Sequence, residues 1–332
     1  MSAALVGRRL THMEAVLEGI AQEMRRDDRV LLIGQDVGHF EGAMQSAKGL
    51  FREFGPTRVR EAPISESAMV GAGIGAALFG WRPIVDISFG EFLPAAMNQL
   101  INQAPNLHYM TGGRASVPVV IRTRVGDGPY GGHPQDYSAW FAHVPGLKVV
   151  MPASPTDAKG LMVAAIRDEN PVLFIEPMSL SHSGREEVPE DLFEVPIGSA
   201  RVVRPGRHLT LVAIGSMVPV AGRVGVKLQK EGIELEVIDL RSLRPWDSDA
   251  VLDSVRKTGC LVTVQESWVA GGFASEIVST VVERGLDDLM APVVRVGSAP
   301  VPIPSGPLRK YALPDEAAIE DAVRAVLRSS GR

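Results

Sequence analysis

Lys148-Val-Val-Met151, Ser154-Pro-Thr-Asp157, Ala158-Lys-Gly-Leu-Met-Val-Ala-Ala-Ile-Arg167 and Val172-Leu-Phe-Ile175 follow one another along a single stretch of the chain, and their order decides the fold class. The first and last are short, mostly apolar runs with the length and β-branched content of buried strands. Between them, Ser154 stands where a helix N-cap belongs, Pro155 at the first helical position and Asp157 in the first turn. Strand, helix and strand in such close succession make a parallel crossover, with both faces of the sheet covered.

The same alternation extends in both directions. Toward the N-terminus, Val30–Gly34, Pro83–Ile87 and Val117–Ile121 read as further buried strands, separated by helical patterns at Ser67–Leu78 and Phe92–Ala104. Thr11 and Glu14 form a capping box ahead of Met13, Val16, Leu17, Ile20 and Met24 at helical spacing. After Pro177 the chain turns polar and proline-containing as far as His208. A second series follows: strands at Leu209–Ile214, Leu235–Asp239, Leu261–Val264 and Val293–Val296, helices over Val218–Lys230, Asp247–Lys257, Phe273–Arg284 and Asp315–Leu327. The expected fold is α/β, two domains each built on a mostly parallel sheet covered by helices. A length of 332 residues, too long for one ordinary core, agrees.

Composition excludes several classes. A net charge of −5 with scattered signs and no Lys/Arg block gives no nucleic-acid footprint. The longest small-residue apolar stretch, Met69 to Trp81, is too short to span a bilayer, so no membrane role is expected. The opening MSAALVGRRL lacks an apolar core for a signal peptide and reads as a frayed arm. The single cysteine, Cys260, rules out an intrachain disulfide and fits a cytoplasmic location.

Two glycine motifs invite a nucleotide or metal reading. Gly71-Ala-Gly73-Ile-Gly75-Ala76 has the dinucleotide spacing, yet Ala62-Pro-Ile-Ser-Glu-Ser precedes it where a buried strand is required. These glycines are expected inside a helix. Gly126-Asp127-Gly128 could begin a diphosphate–Mg²⁺ motif, but its companion asparagine is missing: the next one is Asn170.

Several blocks together resemble the β subunits of thiamine-diphosphate-dependent 2-oxo acid dehydrogenases (pyruvate, branched-chain 2-oxo acid and acetoin dehydrogenases), which are transketolase-like. They are Pro63-Ile-Ser-Glu66 with Val70-Gly-Ala-Gly-Ile-Gly-Ala-Ala77, Arg82-Pro-Ile-Val85, Tyr109-Met-Thr-Gly-Gly113, Ala139-Trp-Phe-Ala-His-Val-Pro-Gly-Leu-Lys-Val-Val150, Asp157-Ala-Lys-Gly160, Ala165-Ile-Arg-Asp-Glu-Asn-Pro171 and Val237-Ile-Asp-Leu-Arg241, all in collinear order. The resemblance implies a thiamine-binding pyrimidine domain over 1–185, a linker over 186–207 and a transketolase C-terminal-like domain over 208–332. It implies an α₂β₂ heterotetramer in which the α subunit holds the diphosphate and Mg²⁺, in keeping with the missing asparagine. A lipoyl acyltransferase core is the implied further partner, although the Pro-rich stretch Ala299-Pro-Val-Pro-Ile-Pro-Ser305 is trimmed and lacks the usual acidic residue.

By the same resemblance Glu66 is the cofactor-activating glutamate, a carboxyl group placed on the aminopyrimidine ring of thiamine diphosphate. On position alone it is equally a first-turn helix carboxylate favoured by the dipole. Phe92 and Ile64 are expected to line the same ring, against the plainer reading of ordinary core. His133 matches an active-site histidine that meets substrate or the lipoyl group, against a surface loop histidine; its context, Gly132-His-Pro-Gln135, departs from the family's Gln-His-Ser-Gln and the loop before it is shorter. His143 is read as structural. Val119, Ala165, Ile166, Asp168 and Asn170 match a K⁺ site, where carbonyls at a helix C-terminus are already without intrahelical partners. The alternative is a plain turn before Pro171.

The implied activity is oxidative decarboxylation of a 2-oxo acid with acyl transfer to lipoyl. A heteromeric transketolase-like or decarboxylating enzyme without a lipoyl acceptor is the alternative. A non-enzymatic assembly subunit is disfavoured by Glu66, Phe92 and His133 together.

Overall fold

The strands form where β-branched runs repeat, and a computed structural model describes the outcome for residues 8–128, 132–304 and 306–331. Of the expected frayed arm, residues 1–7 lie outside the described residues, whereas Arg9–Leu10 are not frayed but pair antiparallel with Glu186–Glu187. Ser305 of the Pro-rich stretch also lies outside the described residues. The chain divides into two compact units. One holds the residues up to Val125 together with Trp140–Ile197, the other Gly126–Ala139 together with Gly198 onward.

In the first unit the strands lie in the order Lys148–Val150, Val172–Pro177, Val120–Val125, Arg82–Ile87, Val30–Gln35 and Val59–Ala62, each parallel to its neighbours in this order. The opening stretch of the sequence is the crossover it promised: Ser154 accepts the Asp157 N–H at 3.2 Å and caps the Pro155–Arg167 helix. The Thr11–Glu14 capping box is present in both directions on the His12–Arg26 helix. Those two helices pack on one face of the sheet, where Val16, Ile20, Met24, Leu161, Met162 and Phe174 are buried in one apolar cluster.

In the second unit Val294–Ser298, Leu261–Trp268, Leu209–Ala213 and Leu235–Asp239 are parallel in that order. Arg201–Arg204 is added antiparallel at the edge. Helices Met217–Gln229, Ser248–Thr258, Ala274–Gly285 and Glu316–Ser329 alternate with these strands, and Asp247 and Asp315 cap two of them through their carboxylates.

Three local expectations need correction. The strand expected at Val117–Ile121 runs instead over Val120–Val125, because Pro118 has no N–H to give a ladder and Val119 N–H turns back to the Val117 carbonyl at 2.8 Å. The helix expected over Phe92–Ala104 is broken into a 3₁₀ segment, Gly90–Ala96, with Pro94 inside it, a π turn at Gln99–Gln103 and a helix at Ala104–Met110. The Leu50–Arg58 helix and the Val59–Ala62 strand were not anticipated; Gly55 at φ 71° and Pro56 interrupt the helix and hide its period.

Candidate functional site

The parallel strands of the first unit present their C-terminal ends at one edge, the usual place for ligands in such sheets. Gln35, Asp36, Glu61, Ala62, Pro63 and Ile64 line a cleft of about 410 Å³ there. The chain leaves Val59–Ala62 through Pro63 and Ile64, and Glu66 opens the Glu66–Leu78 helix. Ile64 is 72% exposed, so it is not the core residue its chemistry suggests. Glu66 is half-buried in the first helical turn, where the dipole favours a carboxylate. The glycines of the dinucleotide look-alike lie within this helix, and Gly73 is needed there: a Cβ would stand 2.5 Å from Val85 Cγ2.

Phe92 lies on the Gly90–Ala96 segment, which follows the Arg82–Ile87 strand. The Ser67 hydroxyl donates to the Ala95 carbonyl and ties this segment to the Glu66 helix. Phe92 is half-buried and meets Phe89 edge-on, ring centres 5.9 Å apart. Ile64, Glu66 and the Phe92 segment thus gather at one edge of the first unit.

Within the same sheet lies a charged layer that was not foreseen. Arg122 donates to Glu176 (Nη2 to Oε2, 3.1 Å), and Arg124 Nη2 bonds both Asp86 oxygens at 2.7 Å; all four side chains are buried. Burial alone would raise the Glu176 carboxyl, yet the Arg122 and Arg124 charges hold it below its ordinary range. His12 Nδ1 is 3.8 Å from Glu176, and burial keeps that imidazole below its usual value.

The residues expected to hold K⁺ come together at the end of the Pro155–Arg167 helix, where a protein cation already stands. Arg82 Nη1 donates to the carbonyls of Ile166 (3.0 Å) and Asp168 (3.3 Å). The Val119 carbonyl accepts from Val172 N–H at 2.9 Å. The Asp168 carboxylate takes the Lys148 ammonium and, at 2.9 Å, the Asn170 N–H. Ala165 is buried beside them.

His133 belongs to the second unit. It is half-buried and sits at φ 53°, a left-handed conformation uncommon for a residue with a side chain. Its segment begins at the second glycine motif. There the Asp127 N–H donates to the carboxylate of Glu266, and the Asp127 carboxylate pairs with Arg309 at 3.0 Å. Glu266 also accepts from the Ser216 hydroxyl. It lies buried on the Leu261–Trp268 strand, no cation among the described residues is bonded to it, and burial pushes it up to about 7. The strand expected to end at Val264 continues to Trp268, and Glu266 carries no sequence signal of its own.

Residues 8–182 match the transketolase pyrimidine-binding domain, and 198–319 match the transketolase C-terminal domain. The pyruvate dehydrogenase E1 component subunit beta of Rhizobium meliloti is 42% identical over 96% of this chain and 70% of its own length. The 2-oxoisovalerate dehydrogenase subunit beta of Bacillus subtilis is 39% identical over 95% of this chain and 98% of its own. A solved split-gene transketolase, an inactive β4 tetramer, superposes with a TM-score of 0.79 at 24% identity over 97% of this chain and 99% of its own, a likeness of fold. On these matches the chain belongs to the transketolase-like family of E1 β subunits that includes those of pyruvate and 2-oxoisovalerate dehydrogenase.

Proposed function

We propose that the chain is the β subunit of a heteromeric, thiamine-diphosphate-dependent 2-oxo acid dehydrogenase, active only with an α subunit in an α₂β₂ assembly. The observation that carries this reading is the strand-end cluster: a half-buried carboxylate, Glu66, between the exposed Ile64 and the segment bearing Phe92. An aliphatic, an aromatic and one acid suit a flat heteroaromatic ring with basic nitrogens, so the residues present fit the aminopyrimidine half of the cofactor. The Asp127 carboxylate is engaged by Arg309, which supports leaving Mg²⁺ and the diphosphate to the α subunit.

When bound, the cofactor supplies the carbanion and electron sink that decarboxylation needs. Glu66 shares a proton with the ring nitrogen N1′. Phe92 and Ile64 cover the ring and keep water from it. His133 holds or moves a proton where the 2-oxo acid carboxylate or the lipoyl sulfur arrives. A K⁺ ion at Val119, Ala165, Ile166, Asp168 and Asn170 is part of the proposal only in competition with Arg82, whose guanidinium it would displace. A cytoplasmic location and docking to a lipoyl acyltransferase complete it; among the described residues no helix is long and apolar enough to cross a membrane.

The test is Glu66→Gln in the assembled complex. Glutamine keeps the shape and cannot share the proton, so turnover should fall roughly 10²- to 10⁴-fold with assembly intact. Near-normal C2–H exchange of bound cofactor would overturn the assignment. The altered Gly132-His-Pro-Gln135 segment, with His133 left-handed, favours a second reading in which the acceptor is not lipoyl. Turnover with a lipoyl domain against turnover with an artificial oxidant separates the two.

A further inference from the structure

We propose that Glu266 and Gln135 are positioning residues for His133, tying the described segments on either side of it to the C-terminal unit. The inference rests on the catalytic reading of His133 given above.

The segment Gly126–Ala139 follows directly on the Val120–Val125 strand, yet its partners lie far along the chain. At its start, Asp127 donates its N–H to Glu266 and sets its carboxylate on Arg309. Gly126, at φ 81°, brings the backbone so close that a Cβ would lie 2.7 Å from Glu266 Oε1. On the far side of His133, Gln135 uses both ends of its amide on one residue: Nε2 donates to the Ile303 carbonyl at 3.0 Å and Oε1 accepts the Ile303 N–H at 3.1 Å. The Ser267 hydroxyl then donates to the Asp136 carbonyl at 3.1 Å, and Tyr137 packs against Trp268 with ring centres 5.8 Å apart. Adjacent strand residues, Glu266, Ser267 and Trp268, thus grip both flanks.

The backbone of His133 needs such a grip. A left-handed residue that also precedes proline is held in a sparsely populated conformation, and such residues persist where their surroundings determine them. Among the described residues Glu266 accepts from two neutral donors, the Asp127 amide and the Ser216 hydroxyl. The charges around it are acidic, Asp127 and Asp136, the former balanced by Arg309. When ionised, the carboxylate accepts from both donors; when protonated, one oxygen becomes a donor and the pair must rearrange. Glutamine in its place keeps an acceptor for Asp127 and offers an amide to Ser216.

The experiment uses the full-length chain in its assembled complex, with Glu266→Ala, Glu266→Gln, Gln135→Met and His133→Ala. Hydrogen exchange is read on peptides covering 132–139 and, as a control, on the Glu66–Leu78 helix. Steady-state turnover of a 2-oxo acid is measured beside it. Expected are at least about tenfold faster exchange over 132–139 in Glu266→Ala and Gln135→Met, with the control unchanged. A roughly tenfold fall in kcat with KM little altered should accompany it, and Glu266→Gln should restore both readouts at neutral pH. Gln135→Met decides the matter if Glu266→Ala does not fold. Unchanged exchange overturns the proposal, and so does faster exchange with kcat intact while His133→Ala is impaired. If His133→Ala itself turns over normally, the catalytic reading of His133 fails, and exchange alone decides whether the two residues hold the segment.

Discussion

Glu176 and Glu266 are both buried glutamates on strands, one in each unit, and their carboxyls shift in opposite directions. Glu176 has Arg122 bonded to it and Arg124 near, and its carboxyl is held below the ordinary range. Glu266 has a hydroxyl and an amide, and its carboxyl rises to about 7. Loss of water costs the charge in both places; the identity of the partner decides which form survives. The first arrangement is suited to permanence, the second to a proton that comes and goes near neutrality.

The contrast is broken most severely by Arg122→Met, which leaves Glu176 and Asp86 buried with less compensation. A loss of about 3–5 kcal/mol in urea denaturation is expected, and a loss under about 1 kcal/mol would show that the charged layer does not sustain the first unit. Glu266 gives the next effect. Its folded value lies above the ordinary 4.5, so the folded state binds the extra proton and stability is fully present below pH 4.5. That contribution, up to about 3 kcal/mol, is lost as pH rises toward 7. Glu176 runs the other way: its contribution is present above 4.5 and lost in acid. Denaturation of the wild type and Glu266→Gln across pH 4.5 to 8 should show the downward limb in the first and a flatter one in the second. Ser216→Ala removes one of the donors that favour ionised Glu266, so the limb should move to higher pH and stability at pH 8 should fall by about 1 kcal/mol. The smallest effect concerns the part-buried carbonyls at the end of the Pro155–Arg167 helix. Exchanging K⁺ for choline should shift the wild-type melting temperature by less than about 2 °C, because Arg82 already serves the Ile166 and Asp168 carbonyls. A larger rise in K⁺ would mean that the guanidinium yields to the ion.

What was legible in the sequence depended on how local its physics was. Ser154, Pro155 and Asp157 act within one turn, and the helix they announce begins at Pro155. Thr11 and Glu14 satisfy each other three residues apart. The unbroken apolar runs located most of the parallel strands because burial on both faces leaves no other pattern. Pro94 and Gly55 spoiled the periodic signal where they fall inside helical stretches. Glu66 was named through its motif, and its place at the strand ends follows from the chain leaving Val59–Ala62. Glu266 could not be named, since Asp127 lies 139 residues away and Ser216 fifty. No spacing rule reaches so far.

The distance between Gln135 and Ile303, 168 residues, also has a meaning in time. Synthesis proceeds from the N-terminus, so the His133 segment leaves the ribosome long before the strand and loop that grip it. The first sheet can pair while this piece is still without its holders, and contacts of such long range form late. The candidate site should therefore be among the last parts of the chain to mature. Pulse-labelled refolding offers the check: protection over 132–139 should arise with that of Leu261–Trp268, and its appearance together with Val120–Val125 would show that the segment is set by its neighbours in sequence after all.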